Sequence, residues 1–509
     1  MIIWTDSRLV CRWRWLLAIV VLFLAGAGRT NAQGCAGVSN STTGAVTWTP
    51  QWCQEFNGPQ ASPDTTVWSF DLGNGGFGNN EVETYCGPPR TQGNLNSCAT
   101  TFSPSTSNAY VDGSGFLVIQ AINNNGTWTS ARMKTQGLQD FQFGRIEASI
   151  KLSDTTNQGL WPAFWSLGSN ITTTPWPKCG EADIMEVWSP SVLGGPGPTG
   201  NRSTLHTALT DGAGVQPNGS FRFTNGAANN TAFHFYGVIW SANMQQYYID
   251  NPLQPYYIAA SSDLKPGDTW PFNLKFFLLM NVAVGGTLGG TPSASTPNPG
   301  IMMVDYVRQY QPLAPVTAPA LGNPPSITVK AGATTGNTST FTPGLMPGTG
   351  FVYFSCSTDA PKASCAISTT DTLNAHVVNS SAPSAESVTV TVTTTANSIL
   401  PLFFFNPKIR VWLPLAIAGF VVLTLVVLAR PTRSRAWRYG ATLLAGLILV
   451  AAVIAGCGGG NSTVITPPNN NGTPPGAYTV TVYAFTETNT SNGSNTNADA
   501  SVSIPLTVN

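Results

Sequence analysis

Glu181-Ala182-Asp183-Ile184-Met185-Glu186 puts three carboxylates into six residues, in a chain where only 9% of residues are charged. The run around them reads Ile, Met, Val and Trp. Side chains of a β-strand alternate faces, so Glu181 and Asp183 share one face while Ala182 and Ile184 point to the other. Strict alternation would leave Glu186 on the wrong face. One extra residue near Ile184 and Met185, a β-bulge of the kind over-represented beside active sites, returns Glu186 to the first two. Three acids then line one wall.

Glycoside hydrolysis needs such an arrangement. One carboxylate attacks or stabilises the anomeric carbon, and another, kept protonated, hands a proton to the leaving oxygen. Asp183 between them helps set their pKa values apart. A solvated edge strand is the blander reading of any isolated cluster at this spacing, so the surroundings decide.

The 509 residues are enough for two or three domains, and a formal net charge of zero argues against a nucleic-acid partner. At the N-terminus Arg8, Arg12 and Arg14 precede an apolar run from Leu16 to Leu24 and then Thr30-Asn31-Ala32. That is the layout of a secretory signal peptide, residues 1–32. Nine cysteines fit an oxidising compartment. Cys86 with Cys98 and Cys356 with Cys365 are near enough to clip local loops, and Cys35 with Cys53 to tie the N-terminal arm down; spacing alone does not fix these pairs. Cys179 has no evident mate, and its acidic neighbourhood offers no base to activate a thiol.

From Trp52 to about Gln311 short alternating apolar runs are broken by Gly, Asn and Pro. The clearest strand candidates are 117–121, 144–150, 235–240, 246–249, 276–284 and 304–310. Strands at this spacing predict a large all-β sandwich of two antiparallel sheets.

Over this span the chain resembles glycoside hydrolase family 16, in its laminarinase-like branch. The motifs are WCQEFNG from Trp52, GFGNNEVETY from Gly76, FGRIEASIKL from Phe143 and GLWPAFWSLG from Gly159. They continue with GEADIMEV from Gly180, FHFYGVIW from Phe233, FFLLMNVAVGG from Phe276 and VDYVRQY from Val304. The resemblance implies a curved jelly-roll sandwich over residues 33–312 with a cleft on its concave sheet. It assigns Glu181 as nucleophile, Asp183 as helper and Glu186 as general acid and then base, with retention of anomeric configuration. The family more often has Ile or Leu where Ala182 stands, a core-facing position. Trp161 and Trp165, just before the acids, offer indole faces to pyranose rings. Asn80 and Glu81 resemble positions on the cleft's non-reducing side, Arg145 is expected to reach in from its strand, and His206 matches a histidine near the leaving group. No cofactor is implied for catalysis. A structural calcium is, with Asp305 as the matching carboxylate and backbone carbonyls as further ligands.

Residues 313–325, rich in Pro and Ala, read as a linker. Beyond it 326–397 has the Thr/Ser-rich alternation of an immunoglobulin-like β-module. Composition then changes: 411–429 carries no charge and 439–456 is a second apolar span, together a transmembrane hairpin over 409–456. Arg430, Arg433, Arg435 and Arg438 between the spans outnumber Lys408 and Arg410 before them, which places that loop in the cytoplasm and both flanks outside. After a Gly/Asn/Pro-rich linker, 457–477, the stretch 478–509 reads as the closing strands of the interrupted module. Val453 to Cys457 also resembles a bacterial lipobox, but such a signal normally ends an N-terminal leader.

The expected protein is thus an exported, membrane-anchored, monomeric endo-glycosidase of bacterial type acting on β-1,3- or mixed β-1,3/1,4-glucan. A glucan-binding protein without activity, a cell-envelope transglycosylase and an anchoring device carrying a catalytic passenger are the other readings. Retention of all three acids speaks against the first, since binding has no use for a protonated glutamate.

Overall fold

The computed structural model describes residues 34–89, 98–209, 218–224, 227–344, 350–380, 382, 385–396, 472–491 and 493–509. They form two β-sandwiches. The first stacks an eleven-stranded sheet on a seven-stranded one. In the seven-stranded sheet the order is Asn218–Arg222, Gly200–His206, Glu181–Glu186, Leu160–Gly168, Phe276–Val284, Arg132–Lys134 and Ser69–Asp71. Strands Tyr257–Ala260, Met244–Ile249, His234–Trp240, Gly144–Leu152, Gly300–Pro312 and Leu117–Asn124 run in that order through the larger sheet. All the strand candidates read from the sequence lie in these two sheets.

Period-two alternation explains the stacking. Ile146, Ala148, Ile150 and Leu152 of one sheet meet Phe276, Leu278, Met280, Val282 and Val284 of the other in one apolar core. Each large side chain so buried contributes about 1.5–3 kcal/mol. The intervening residues Phe277, Leu279, Asn281 and Ala283 therefore face outward. That outward face of the seven-stranded sheet carries the acids.

The second sandwich packs a five-stranded sheet against a three-stranded one. Strands Gly476–Thr486 and Ala500–Val508 lie in the same sheet as Ile327–Val329, Phe351–Thr358 and Val377–Asn379. Its core joins Ile327, Val352, Val390, Val482 and Ile504. The segment 313–325 is laid against this unit: Val316 N–H donates to Thr488 Oγ1 (3.1 Å), and Leu321 is in the core. Cys35–Cys53, Cys86–Cys98 and Cys356–Cys365 are disulfides, and Cys179 is free and buried.

The two units also touch. Met244, Ile258 and Ala260 pack with Phe351, Tyr353, Val377 and Phe485. Because Tyr247, Ile249 and Ala259 point into the first core, these contacts use the outer face of the eleven-stranded sheet. The second sandwich and the acids therefore lie on opposite sides of the first. Among the described residues no helix is long and apolar enough to cross a membrane. The expected signal peptide, 1–32, and membrane hairpin, 409–456, lie outside the described residues.

Candidate active site

The acidic strand Glu181–Glu186 is held between Leu160–Gly168 and Gly200–His206. On one side Trp165 opposes Asp183 and Phe164 opposes Met185, leaving Ile184 without a partner. On the other, Asp183 faces Thr204 and Glu186 faces Arg202, so two residues stand against Ser203 alone. This is the bulge the spacing requires. Ala182, Ile184 and Met185 enter the core together, and Glu181, Asp183 and Glu186 are left on the opposite face.

Burial grades the three acids. Glu181 is the most open, whereas Asp183 and Glu186 are 2% and 7% exposed. Burial, together with the charge of Glu181, pushes Glu186 up to about 7, against the pull of His206, the Trp161 hydrogen bond and Arg202. Asp183 is held well above the carboxylate range by burial, then by Glu186 and Glu181. His206 Nε2 stands 3.2 Å from Asp183 Oδ2 and 3.8 Å from Glu181 Oε1. Trp161 Nε1–H donates to Glu186 Oε1 (3.1 Å), and Thr204 Oγ1–H to its Oε2 (3.4 Å). A group protonated near neutrality beside an open carboxylate is the division of labour that acid-assisted displacement needs.

Trp161 and Trp165 both lie on the acid-bearing face. Trp165 stacks under Arg132, 4.6 Å from its ring centroid, and donates to Asn281 Oδ1 (2.8 Å). Asn281 Nδ2 donates to Tyr85 Oη (3.2 Å), which donates to Glu81 Oε2 (2.7 Å). Glu81 is thus buried at the end of a chain of bonds that fixes Trp165, while Asn80 sits at an exposed turn with φ of 60°.

Arg145 corrects the expectation placed on it. It is on the eleven-stranded sheet, 3% exposed, bonded to Thr43 Oγ1 (3.1 Å) and 4.2 Å from the Tyr310 ring centroid. Because Ile146 points to the core, its neighbour in sequence points to the outer side of that sheet, away from the acids. Asp305 stands where the strand Gly300–Pro312 is irregular, between Val304 and Tyr306. Its carboxylate receives Ser149 Oγ at 3.5 Å, and nearby Glu55 is engaged by both Nε and Nη2 of Arg308. Calcium takes about six to eight oxygens, of which these residues supply one carboxylate not held by Arg308. Glu181, Asp183 and His206 bring three ligating atoms within 4.8 Å of one another, but a cation there would occupy the carboxylates the reaction uses. Cys179 is raised to about 11 by burial and Glu181, and supplies no thiolate.

Register aligns Glu186 with residues that pattern reading did not single out. Asp71, Arg132, Asn281, Ala163, Glu186 and Arg202 form one line across the strands. Five interstrand steps make about 24 Å, a strip far longer than one sugar ring. Glu83, beside it, is pushed up to about 8 by burial and Glu81. Behind the bulge, Asn201, Ser203 and Tyr256 bond to its backbone and to one another. The one sequence signal for Asn201 and Ser203 is their alternation with Leu205, which puts polar residues at core positions.

Over residues 97–308 the chain matches the family model for glycosyl hydrolases family 16. It is 32% identical over 292 residues to a beta-glucanase of Rhodothermus marinus, covering 55% of this chain and 91% of that protein. A second relative, glucan endo-1,3-beta-glucosidase A1 of Niallia circulans, is 30% identical over 278 residues, which are 51% of this chain and 37% of that one. Among solved structures, the endo-beta-1,3-glucanase of Pyrococcus furiosus is 32% identical with a TM-score of 0.45, covering 54% of this chain and 98% of that one.

Proposed function

The chain belongs to glycosyl hydrolase family 16 and is a glycoside hydrolase, and on that premise we propose that it is an endo-acting, retaining enzyme for β-1,3- or mixed β-1,3/1,4-glucan. The observation that carries this is the bulge, which brings Glu186, protonated up to about 7, onto the face of Glu181. Glu181 attacks the anomeric carbon as the Glu186 proton passes to the glycosidic oxygen, and the bond to the leaving sugar breaks. Glu186, now a carboxylate, takes a proton from water; the water oxygen displaces Glu181 and both acids return to their first state. Asp183, held high by burial and then by the charges of Glu186 and Glu181, and His206 share the charge that moves between them. The strip of aligned residues supports binding of a polymer along several sugars, and the relatives named for glucan cleavage support the substrate class.

We further read the second sandwich as an immunoglobulin-like module and 409–456 as a hairpin anchoring the enzyme in a membrane, with the cleft outside after export by 1–32. Thr473 N–H donates to the Thr395 carbonyl (2.9 Å), and Thr395 N–H to Thr473 Oγ1 (2.8 Å). Both ends of the intervening segment therefore leave from one place, which favours a common side for its flanks. Protease treatment of intact cells is expected to reach both flanks; a protected C-terminus would contradict the topology. Incubating the full chain with laminarin, lichenan and agarose tests the activity. Oligosaccharides from the first two are expected, and binding of laminarin without cleavage would leave only a glucan-binding protein.

A further inference from the structure

We propose that Asn201, Ser203 and Tyr256 are positioning residues for Glu186, a polar clamp inside the core that holds the bulge and so keeps the acid on the cleft face. This rests on the reading of Glu186 as the acid of the reaction. A bulge leaves its extra residue outside the ladder, and here Ile184 has no ladder partner on either neighbouring strand. Its carbonyl is instead met by Asn201 Nδ2–H (3.2 Å) and Ser203 Oγ–H (2.9 Å). Asn201 Oδ1 accepts the N–H of Glu186 (3.2 Å). One amide side chain therefore grips both ends of the bulge.

Tyr256 completes the set from the opposite sheet, where it lies between strands Met244–Ile249 and Tyr257–Ala260. Its hydroxyl is 2.8 Å from Asn201 Nδ2 and 2.6 Å from Ser203 Oγ. The proton count closes in one direction only. Asn201 gives one amide hydrogen to Ile184 and the other to Tyr256; Ser203 gives its hydrogen to Ile184; Tyr256 must then donate to Ser203. Asn201 and Ser203 are both 0% exposed at positions where a regular strand would carry Val or Ile. Polar groups at such depth are costly unless bonded, and the side-chain bonds of these two go to the bulge and to Tyr256. Without the clamp the strand can return to plain alternation, which turns Glu186 toward the core.

The test uses the full chain in detergent with Asn201→Leu, Ser203→Ala, Ser203→Thr and Tyr256→Phe. Asn201→Leu is expected to lower kcat on laminarin about 100-fold with KM little changed, the scale of an ångström-sized misplacement. Tyr256→Phe, which removes both bonds of the hydroxyl but leaves those that reach the bulge, is expected to cost about tenfold, Ser203→Ala to fall between the two, and Ser203→Thr to retain most of the rate. The alkaline limb of the pH profile moves in the impaired variants, because the Glu186 surroundings change. Tyr257→Phe, whose hydroxyl has no hydrogen-bond partner among the described residues, serves as the control. Lower melting temperatures with wild-type kcat and an unmoved limb would overturn the proposal. Should Asn201→Leu not fold, Tyr256→Phe and Ser203→Ala decide alone. A carbon-13 NMR titration of the Glu186 carboxyl, which needs no substrate, separates the two readings: an unchanged titration in the variants sinks the clamp, whereas inactive wild-type enzyme sinks only the glucanase assignment.

Discussion

On the outer face of the eleven-stranded sheet, Glu147 accepts the hydroxyls of Tyr248 (2.7 Å) and Tyr306 (2.8 Å), and Arg145 lies against Tyr310 and bonds Thr43. On the outer face of the seven-stranded sheet, Glu181, Asp183 and Glu186 stand side by side with one imidazole shared between two of them. The two faces use the same residue types. In the first, each charge meets donors or an aromatic face. In the second, burial and then the neighbouring like charges hold Asp183 and Glu186 above the usual carboxylate range. A solved electrostatic problem reads as structure, and an unsolved one beside a partly open carboxylate reads as chemistry.

The sharpest way to break this contrast is to neutralise one carboxyl on each face. Glu186→Gln is expected to lower kcat by about 10²–10⁴, while Glu147→Gln leaves the turnover of folded enzyme intact; laminarin kinetics on both variants check it. A smaller effect on rate is expected from Trp161→Phe. Losing the indole donor removes a bond that lowers the Glu186 pKa, so the alkaline limb should move to higher pH, with kcat down about tenfold. Arg145→Met should leave kcat and KM alone and destabilise the fold by about 2 kcal/mol, read from denaturant unfolding. Weaker binding of laminarin instead would put Arg145 back in the cleft.

Glu487, at the contact between the two sandwiches, should have no effect on rate. It is raised from 4.5 to about 7 by burial, with Gln246 Nε2 at 3.3 Å. The folded pKa exceeds the unfolded one, so its contribution is fully present below 4.5 and is lost as pH rises through about 7. Glu487→Gln should therefore raise the melting temperature above pH 7 and flatten its pH dependence; a pH dependence unchanged from wild type would mean the carboxyl does not sense the interface.

Spacing made the bulge legible, because three acids on one face need one residue more than alternation allows. Alternation also placed the core strands, since Ile146, Ala148 and Ile150 read inward whatever their partners. It did not tell which outer face stays open. Arg145 faces outward as its pattern says, but Trp48, Tyr248 and Tyr310 cover that side, and this depends on contacts from far along the chain. Asn201 and Ser203 carry only the weak signal of polar residues alternating with Leu205, and Tyr256 none, for a related reason: each is an ordinary polar residue until folding brings a strand and a loop of the opposite sheet together behind Ile184.

The central claim is double displacement through Glu181 with Glu186 as acid. Proton NMR of a laminarin digest in its first minutes tests it most directly. The new reducing ends should appear as the β-anomer and drift to the equilibrium mixture by mutarotation; ends that appear first as the α-anomer would contradict the assignment of Glu181 as nucleophile.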